Sequence, residues 1–177
     1  KRTPGFTGAD LSNLINEAAL IAARSDKREI EMLDLEAAID KVIAGPEKRS
    51  RIVPPEEKKM TAYHEIGHAL MYHLLQHANS LHKVTIIPRG FALGLTMSVP
   101  EDDMLSTTRS QIIDHIAAGL GGRVAEEVVY NEVTTGAQND LEKVTGLARR
   151  MVTEFGMSDR LGPMTFGKRN EHIFLGR

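Results

Sequence analysis

His64-Glu65-Ile66-Gly67-His68 matches the pattern H-E-x-x-H. Two histidines four residues apart share one face of a helix. Both imidazoles then reach one zinc ion, and Glu65 leans over the same point to take a proton from water. Histidine pairs on helices also occur as surface residues or as satisfied core groups, so the pattern alone makes a candidate. Two features weigh for chemistry. His64, Glu65 and His68 are polar groups among apolar neighbours, and Gly67 stands mid-helix, where glycine costs roughly 1 kcal/mol relative to alanine. A catalytic zinc takes three protein ligands and keeps one position open for water. The chain has no cysteine, so the third ligand must be His, Asp or Glu. The candidates are His73, His77, His82, Glu126, Glu127 and Asp140. His73 and His77 sit too near along the same helix to fold back easily. Asp140 lies beside Ala137 and Leu141, which pack inward at the start of a later helix. Spacing favours it only slightly over Glu126 and Glu127, which stay open as alternatives.

The elements that must position these groups can be read from periodicity. Thr7 with Asp10 forms a capping box, and Leu11, Leu14, Ile15, Ala18, Ala19 and Ala22 follow on one helical face. A second helix covers Leu33 to Ala44 and stops at Gly45-Pro46. Residues 46–55 read as a linker. Pro55 opens a third helix, with Glu56 and Glu57 at the positive end of its dipole. It should reach Gln76 with Met60, Tyr63, Gly67, Leu70, Met71 and Leu74 inward, and it carries the H-E-x-x-H pattern. Lys83–Ile87 and Leu93–Val99 are short strand candidates. A helix over Arg109–Leu120, with Ile112, Ile113, Ile116 and Leu120 inward, meets Gly121-Gly122. A further turn or two runs to Val129. The last long helix starts after Thr135, with Thr135 and Gln138 as a capping box, and ends near Gly156. A weak strand-like stretch closes the chain.

Composition bounds the function. Apolar residues are 41% of 177, enough for a core in one domain or two small ones. With 22 Lys plus Arg against 24 Asp plus Glu, the net charge is -2. That balance excludes a basic nucleic-acid binder and a disordered acidic tail, so no nucleic-acid partner is expected. The absence of cysteine excludes disulfide scaffolds and thiol nucleophiles. No apolar run approaches the roughly 20 residues that span a bilayer. The ends, Lys1-Arg2-Thr3-Pro4 and Ile173-Phe174-Leu175-Gly176-Arg177, read as those of a fragment.

The H-E-x-x-H pattern is followed by Gly119–Glu127 (GLGGRVAEE), by Thr134–Leu141 (TTGAQNDL) and by Met151–Pro163 (MVTEFGMSDRLGP). Gly5–Ala23 (GFTGADLSNLINEAALIAA) precedes it, and Gly45-Pro46-Glu47-Lys48 lies between. This ordered set, over essentially the whole chain, resembles the FtsH family of ATP-dependent, membrane-anchored zinc proteases with a AAA+ motor. The resemblance implies a mainly α fold. A small helical AAA+ lid domain would cover residues 1–45, a linker 46–55, and a mostly helical zincin-like metalloprotease domain with a small β-sheet 56–177. It makes Asp140 the third zinc ligand beside His64 and His68, and Glu65 the general base. Gly94–Val99 would be an extended edge where a substrate polypeptide adds as a strand. Gly8 and Ala9, with Asp10, would lie on the lid side of the nucleotide site, although Thr7–Asp10 is a good helix start regardless.

The resemblance further implies zinc here, and ATP with magnesium in the full-length protein. It implies misfolded membrane and soluble polypeptides as substrates, and a homo-hexamer. A membrane anchor outside this chain would leave this part on the cytoplasmic side of a bacterial inner membrane, with an organelle membrane as the alternative. Two departures bear on this. No G-x-x-x-x-G-K-[ST] occurs, so the motor core is missing, and so are the family's membrane helices and the helical end of its protease domain. Two other classes remain open: an assembly module with a structural or silent zinc site, and an ATP-independent soluble zinc peptidase with a helical prodomain.

Overall fold

A hydroxyl and a carboxylate start the first helix. In the computed structural model, which describes residues 3–48, 50–89, 92–99 and 106–167, the backbone N–H of Asp10 donates to Thr7 Oγ1 at 3.2 Å. The N–H of Thr7 donates back to Asp10 Oδ2 at 2.8 Å. Two of the orphan donors at the helix start are thereby satisfied. Helix α1 then runs Gly8–Arg24 and α2 runs Met32–Ala44. Leu14, Ala18, Ala38 and Ile39 form their shared core, with Phe6, Ile21, Leu35 and Val42 packed around it. The buried stripe of α1 is narrower than its periodicity indicates, since Leu11 and Ile15 are exposed. Gly45 ends α2 at φ +80°, a conformation that costs glycine nothing.

Residues 46–55 are fastened rather than free along their first part. Lys48 N–H donates to Pro88 O at 2.8 Å. The buried Arg89 donates to Gly45 O at 3.0 Å and to Glu47 Oε1 at 2.6 Å, and lies 3.9 Å from Asp40. Lys83 forms an ion pair with the same Asp40. These bonds join the end of α2 to the strand region.

Helix α3 spans Pro55–Leu74, ending two residues before the expected Gln76. Its inward face differs from the expected one. Glu65, Gly67, His68 and Ala69 are buried, while Tyr63, Leu70 and Leu74 are exposed. Polar side chains occupy the buried stripe because the helix serves a site there. Strands β1 (Ser80–Thr85) and β2 (Leu95–Val99) pair antiparallel in a two-stranded sheet. β1 begins and ends earlier than its apolar run. Its register shifts between Leu81 and Lys83, which face Ser98 and Met97, so His82 is the extra residue of a bulge. Among the described residues, the second edge of β2 is unpaired.

Gly121-Gly122 does not break the next helix. α4 is continuous over Arg109–Tyr130, opened by a Thr108–Gln111 capping box and closed by Asn131 at φ 50°. Both glycines are buried, as are Ile112, Ala118 and Glu126, whereas Ile113 is exposed. A Cβ on Gly67 would overlap the Gly121 carbonyl and lie 2.6 Å from Ala125 Cβ. A Cβ on Gly121 would lie 2.5 Å from the Gly67 carbonyl oxygen. α3 and α4 therefore cross backbone against backbone, a distance that only glycine permits. This explains the mid-helix cost at Gly67.

The expected Thr135–Gln138 capping box is replaced by a different start. Thr134 Oγ1 accepts from Gly136 N–H, Thr135–Ala137 forms a single 3-10 turn, and α5 runs Gln138–Thr153. Asp140 falls in its first turn. The strand-like stretch at the chain end lies outside the described residues. The architecture is thus mainly α with a small β-sheet, and among the described residues no helix is long and apolar enough to cross a membrane.

Candidate metal centre

Helix α3 presents His64 and His68 one turn apart, with their Nε2 atoms 3.0 Å from each other. The start of α5 brings Asp140 Oδ2 to 3.3 Å from His64 Nε2 and 3.5 Å from His68 Nε2. These three donors converge within 4.8 Å. Ligands at about 2.0–2.1 Å around a tetrahedral ion sit about 3.3 Å apart. The observed spacings match that edge length.

The second nitrogens decide the protonation. His68 Nδ1 lies 2.8 Å from Ala118 O, and His64 Nδ1 lies 2.7 Å from Glu126 Oε1. Each partner is an acceptor, so each Nδ1 carries the proton and donates it. Each ring thus uses Nδ1 for its second partner, and the two Nε2 atoms are left pointing toward each other and toward a carboxylate oxygen. Three such ligand atoms facing one point suit a metal cation there. The residues present fit a zinc ion: two imidazoles and one carboxylate, the donor types and number of a catalytic site.

Burial by itself would lower the His64 pKa. The carboxylates of Asp140, Glu126 and Glu65 around the ring outweigh it, so the pKa is raised. Burial would raise that of Asp140, but the His64 and His68 rings beside it hold it well below the usual carboxylate range.

Glu65 is 7% exposed. Burial pushes its carboxyl above the ordinary value, while the Thr96 hydroxyl and the two histidines pull it back. A carboxylate poised upward from its usual range is a better base near neutrality. Thr96 Oγ1 sits 2.6 Å from Glu65 Oε2 and 2.9 Å from Glu65 O.

Glu126 lies outside the donor set. Its Oε1 faces His64, and its Oε2 accepts from Thr134 N–H and Oγ1–H, both at 3.0 Å. It orients a histidine rather than joining the convergence. Glu127, His73, His77 and His82 are exposed and lie outside the cluster. Gly8 and Ala9 are exposed at the start of α1 and do not join it either. Gly122 makes room for the pair: a Cβ there would lie 2.5 Å from both Nε2 atoms. Sequence reasoning missed the roles of Glu126, Gly122 and Thr96. The glycine pair and the acidic pair in GLGGRVAEE were the available signal for the first two; Thr96 had none.

The centre opens into a cleft of about 1180 Å³ whose lining includes Tyr72, Gly94, Leu95, Thr96, Val144 and Leu147. It is wider than a drug-sized pocket and runs beside β2.

Comparison with known proteins agrees with this geometry. The model of peptidase family M41 matches residues 51–177, and that of the AAA+ lid domain matches residues 1–37. The ATP-dependent zinc metalloprotease FtsH 1 of Thermoanaerobacter sp. (strain X514) is 59% identical over 177 residues, 100% of this chain and 29% of that protein. FtsH 1 of Conexibacter woesei is 58% identical over 176 residues, 99% of this chain and 27% of its own length. FtsH 3 of Symbiobacterium thermophilum is 56% identical over 178 residues, 28% of its length. The chain spans less than a third of the relatives it matches. Because the M41 match covers the sheet and all three helices around the convergent donors, the chain belongs to peptidase family M41 and carries an active site of the zinc metalloendopeptidase kind.

Proposed function

We propose that this chain is the lid and proteolytic part of an ATP-driven, membrane-anchored protease that cleaves unfolded polypeptides. The observation that carries the catalytic reading is the convergence of the two Nε2 atoms on Asp140 Oδ2. His64, His68 and Asp140 would hold the zinc. When bound, it lowers the pKa of water and polarises the scissile carbonyl. Glu65 removes a proton from the attacking water and passes one to the leaving amine. The free edge of β2 gives the substrate main chain a strand to pair with, so side-chain specificity is loose. Leu95 and Thr96 of that strand border the same cleft as the metal donors, which supports docking beside the chemistry.

The wider setting rests on the relatives, whose names state ATP dependence. In that reading residues 1–45 are the lid, 46–55 the joint and 56–177 the protease. Gly8 and Ala9 lie on the lid side of a nucleotide site that binds ATP with magnesium. Their exposure at the start of α1 leaves them accessible to such a site. Six copies form a ring, and an anchor outside this chain holds this part on the cytoplasmic side of a bacterial inner membrane. The test is Glu65→Gln in the full-length protein. Zinc content stays at one per subunit, and proteolysis falls by about 10²–10⁴-fold. Full proteolysis in that variant overturns the assignment.

A further inference from the structure

Glu65 is held from a second element as well as from its own helix. The single hydroxyl of Thr96 on β2 reaches both ends of the residue: its carboxylate Oε2 at 2.6 Å and its main-chain O at 2.9 Å. Gly94, two residues earlier on the same segment, is buried against the same side chain. A Cβ there would lie 2.5 Å from Glu65 Oε1, 2.7 Å from Glu65 Cγ and 2.8 Å from Thr61 Cγ2. The far end of Glu65 is the part free to yield, so a methyl at position 94 displaces the carboxylate. Gly94 has no positive φ, so its backbone conformation does not demand glycine. The close approach to Glu65 does.

We propose that Thr96 is a positioning residue for peptide hydrolysis, holding the Glu65 carboxylate in its proton-accepting orientation, with Gly94 providing the space. This rests on Glu65 being the general base. β2 then has two jobs. Its open edge takes the substrate chain, and its inward side chain fixes the base, so docking and proton transfer share one rigid strand. A carboxylate with free rotation about its side-chain bonds spends much of its time off target. Misplacement of a catalytic group by about 1 Å costs on the order of 10²-fold.

The test uses the full-length protein with ATP and an unfolded fluorescent substrate. Thr96→Val keeps the shape and removes the hydroxyl; Thr96→Ser keeps the hydroxyl. The expected result is a kcat loss of about 10–100-fold in Thr96→Val, with KM within about twofold. Thr96→Ser restores kcat to within about threefold, and zinc content, ATPase rate and Tm are unchanged in both. Binding of a peptide hydroxamate, whose complex includes the Glu65 carboxylate, weakens in Thr96→Val and recovers in Thr96→Ser. Gly94→Ala gives the same kcat loss by pushing the carboxylate, with zinc retained. If Thr96→Val fails to fold, Gly94→Ala and Thr96→Ser decide the matter. Unchanged kcat in Thr96→Val or in Gly94→Ala overturns the proposal. So does a loss that Thr96→Ser shares or that tracks zinc content. Glu65→Gln runs alongside: if it remains fully active, the general-base reading itself has failed, whatever the Thr96 series returns.

Discussion

Replacing Glu126 by glutamine isolates what orients the metal donors. Glu126 accepts three hydrogen bonds, one at Oε1 from His64 Nδ1–H and two at Oε2 from Thr134. Both of its ends are acceptors only. Glutamine has the same shape but one acceptor end and one donor end. If its oxygen keeps the two Thr134 bonds, its NH₂ faces His64 Nδ1. Two donors then oppose each other at about the 2.7 Å separation seen here. The imidazole relieves this by moving its proton to Nε2, the atom that must carry a lone pair for the metal. Loss of such an orienting partner typically lowers metal affinity about 10–100-fold, or about 1.4–2.7 kcal/mol. The assay is zinc competition against a chelator of known affinity, with Asp140→Asn measured in parallel. Glu126→Gln should weaken zinc by that amount, and Asp140→Asn by well over about 100-fold. Zinc binding in Glu126→Gln within about twofold of wild type refutes the tautomer argument. Equal and very large losses in both variants would place Glu126 in the donor set instead.

Three further perturbations test the frame around the centre. Gly67→Ala gains about 1 kcal/mol of helix propensity, but its methyl meets the Gly121 carbonyl, which cannot rotate away. Overpacking of about 1–3 kcal/mol then dominates, and a thermal melt should fall by a few degrees. Arg89→Met removes a buried guanidinium from Glu47, Gly45 and Asp40. It should cost about 3 kcal/mol and speed proteolytic nicking within residues 46–55, read by timed digestion and mass spectrometry. Asp34 has its pKa lowered by the Glu31 backbone N–H and by Lys27. Its stabilising contribution is therefore complete above its unfolded pKa, and is lost as pH falls through the lower folded value. Asp34→Asn should reduce Tm at pH 7, and the difference should begin to shrink only below about pH 4, closing as pH passes the lower folded value.

The cap of the first helix and the stop of the second were legible because their signals are local. Thr7, Asp10 and Gly45 act within four residues of themselves. The histidine pair was legible for the same reason, since i and i+4 coincide on any helix. What failed was orientation. Tyr63, Leu70 and Leu74 are apolar at helical spacing, and the structure turns them outward because the inner stripe of α3 holds Glu65 and His68. A periodicity rule assigns apolar residues to the core and so inverts at a buried polar site. Gly121-Gly122 read as a break because propensity sees cost, whereas packing sees a place for two imidazoles. The cap ahead of α5 moved by one residue and opens a 3-10 turn instead, because adjacent threonines, Thr134 and Thr135, offer the same cap, and Thr134 is the one whose hydroxyl and N–H also reach Glu126. The third ligand could not be fixed by spacing, because Asp140 and Glu126 both approach His64 and differ only in which nitrogen they meet.

That difference shows how labour is divided between the helices. α4 contributes no donor to the convergent cluster, yet three of its positions govern the two histidines of α3. Ala118 offers its carbonyl to His68, Gly122 leaves room for both rings, and Glu126 holds His64. Those positions are four residues apart, as the histidines are, so each helix presents one stripe to the other. The stripes meet only because Gly67 and Gly121 let the backbones touch. A main-chain carbonyl can then serve as a histidine's second partner, which needs no particular side chain at Ala118 and leaves no mark in the sequence there. The metal site is therefore a property of the helix crossing as much as of the H-E-x-x-H pattern. A chain carrying the pattern without the paired glycines would have the ligands but not the orientation.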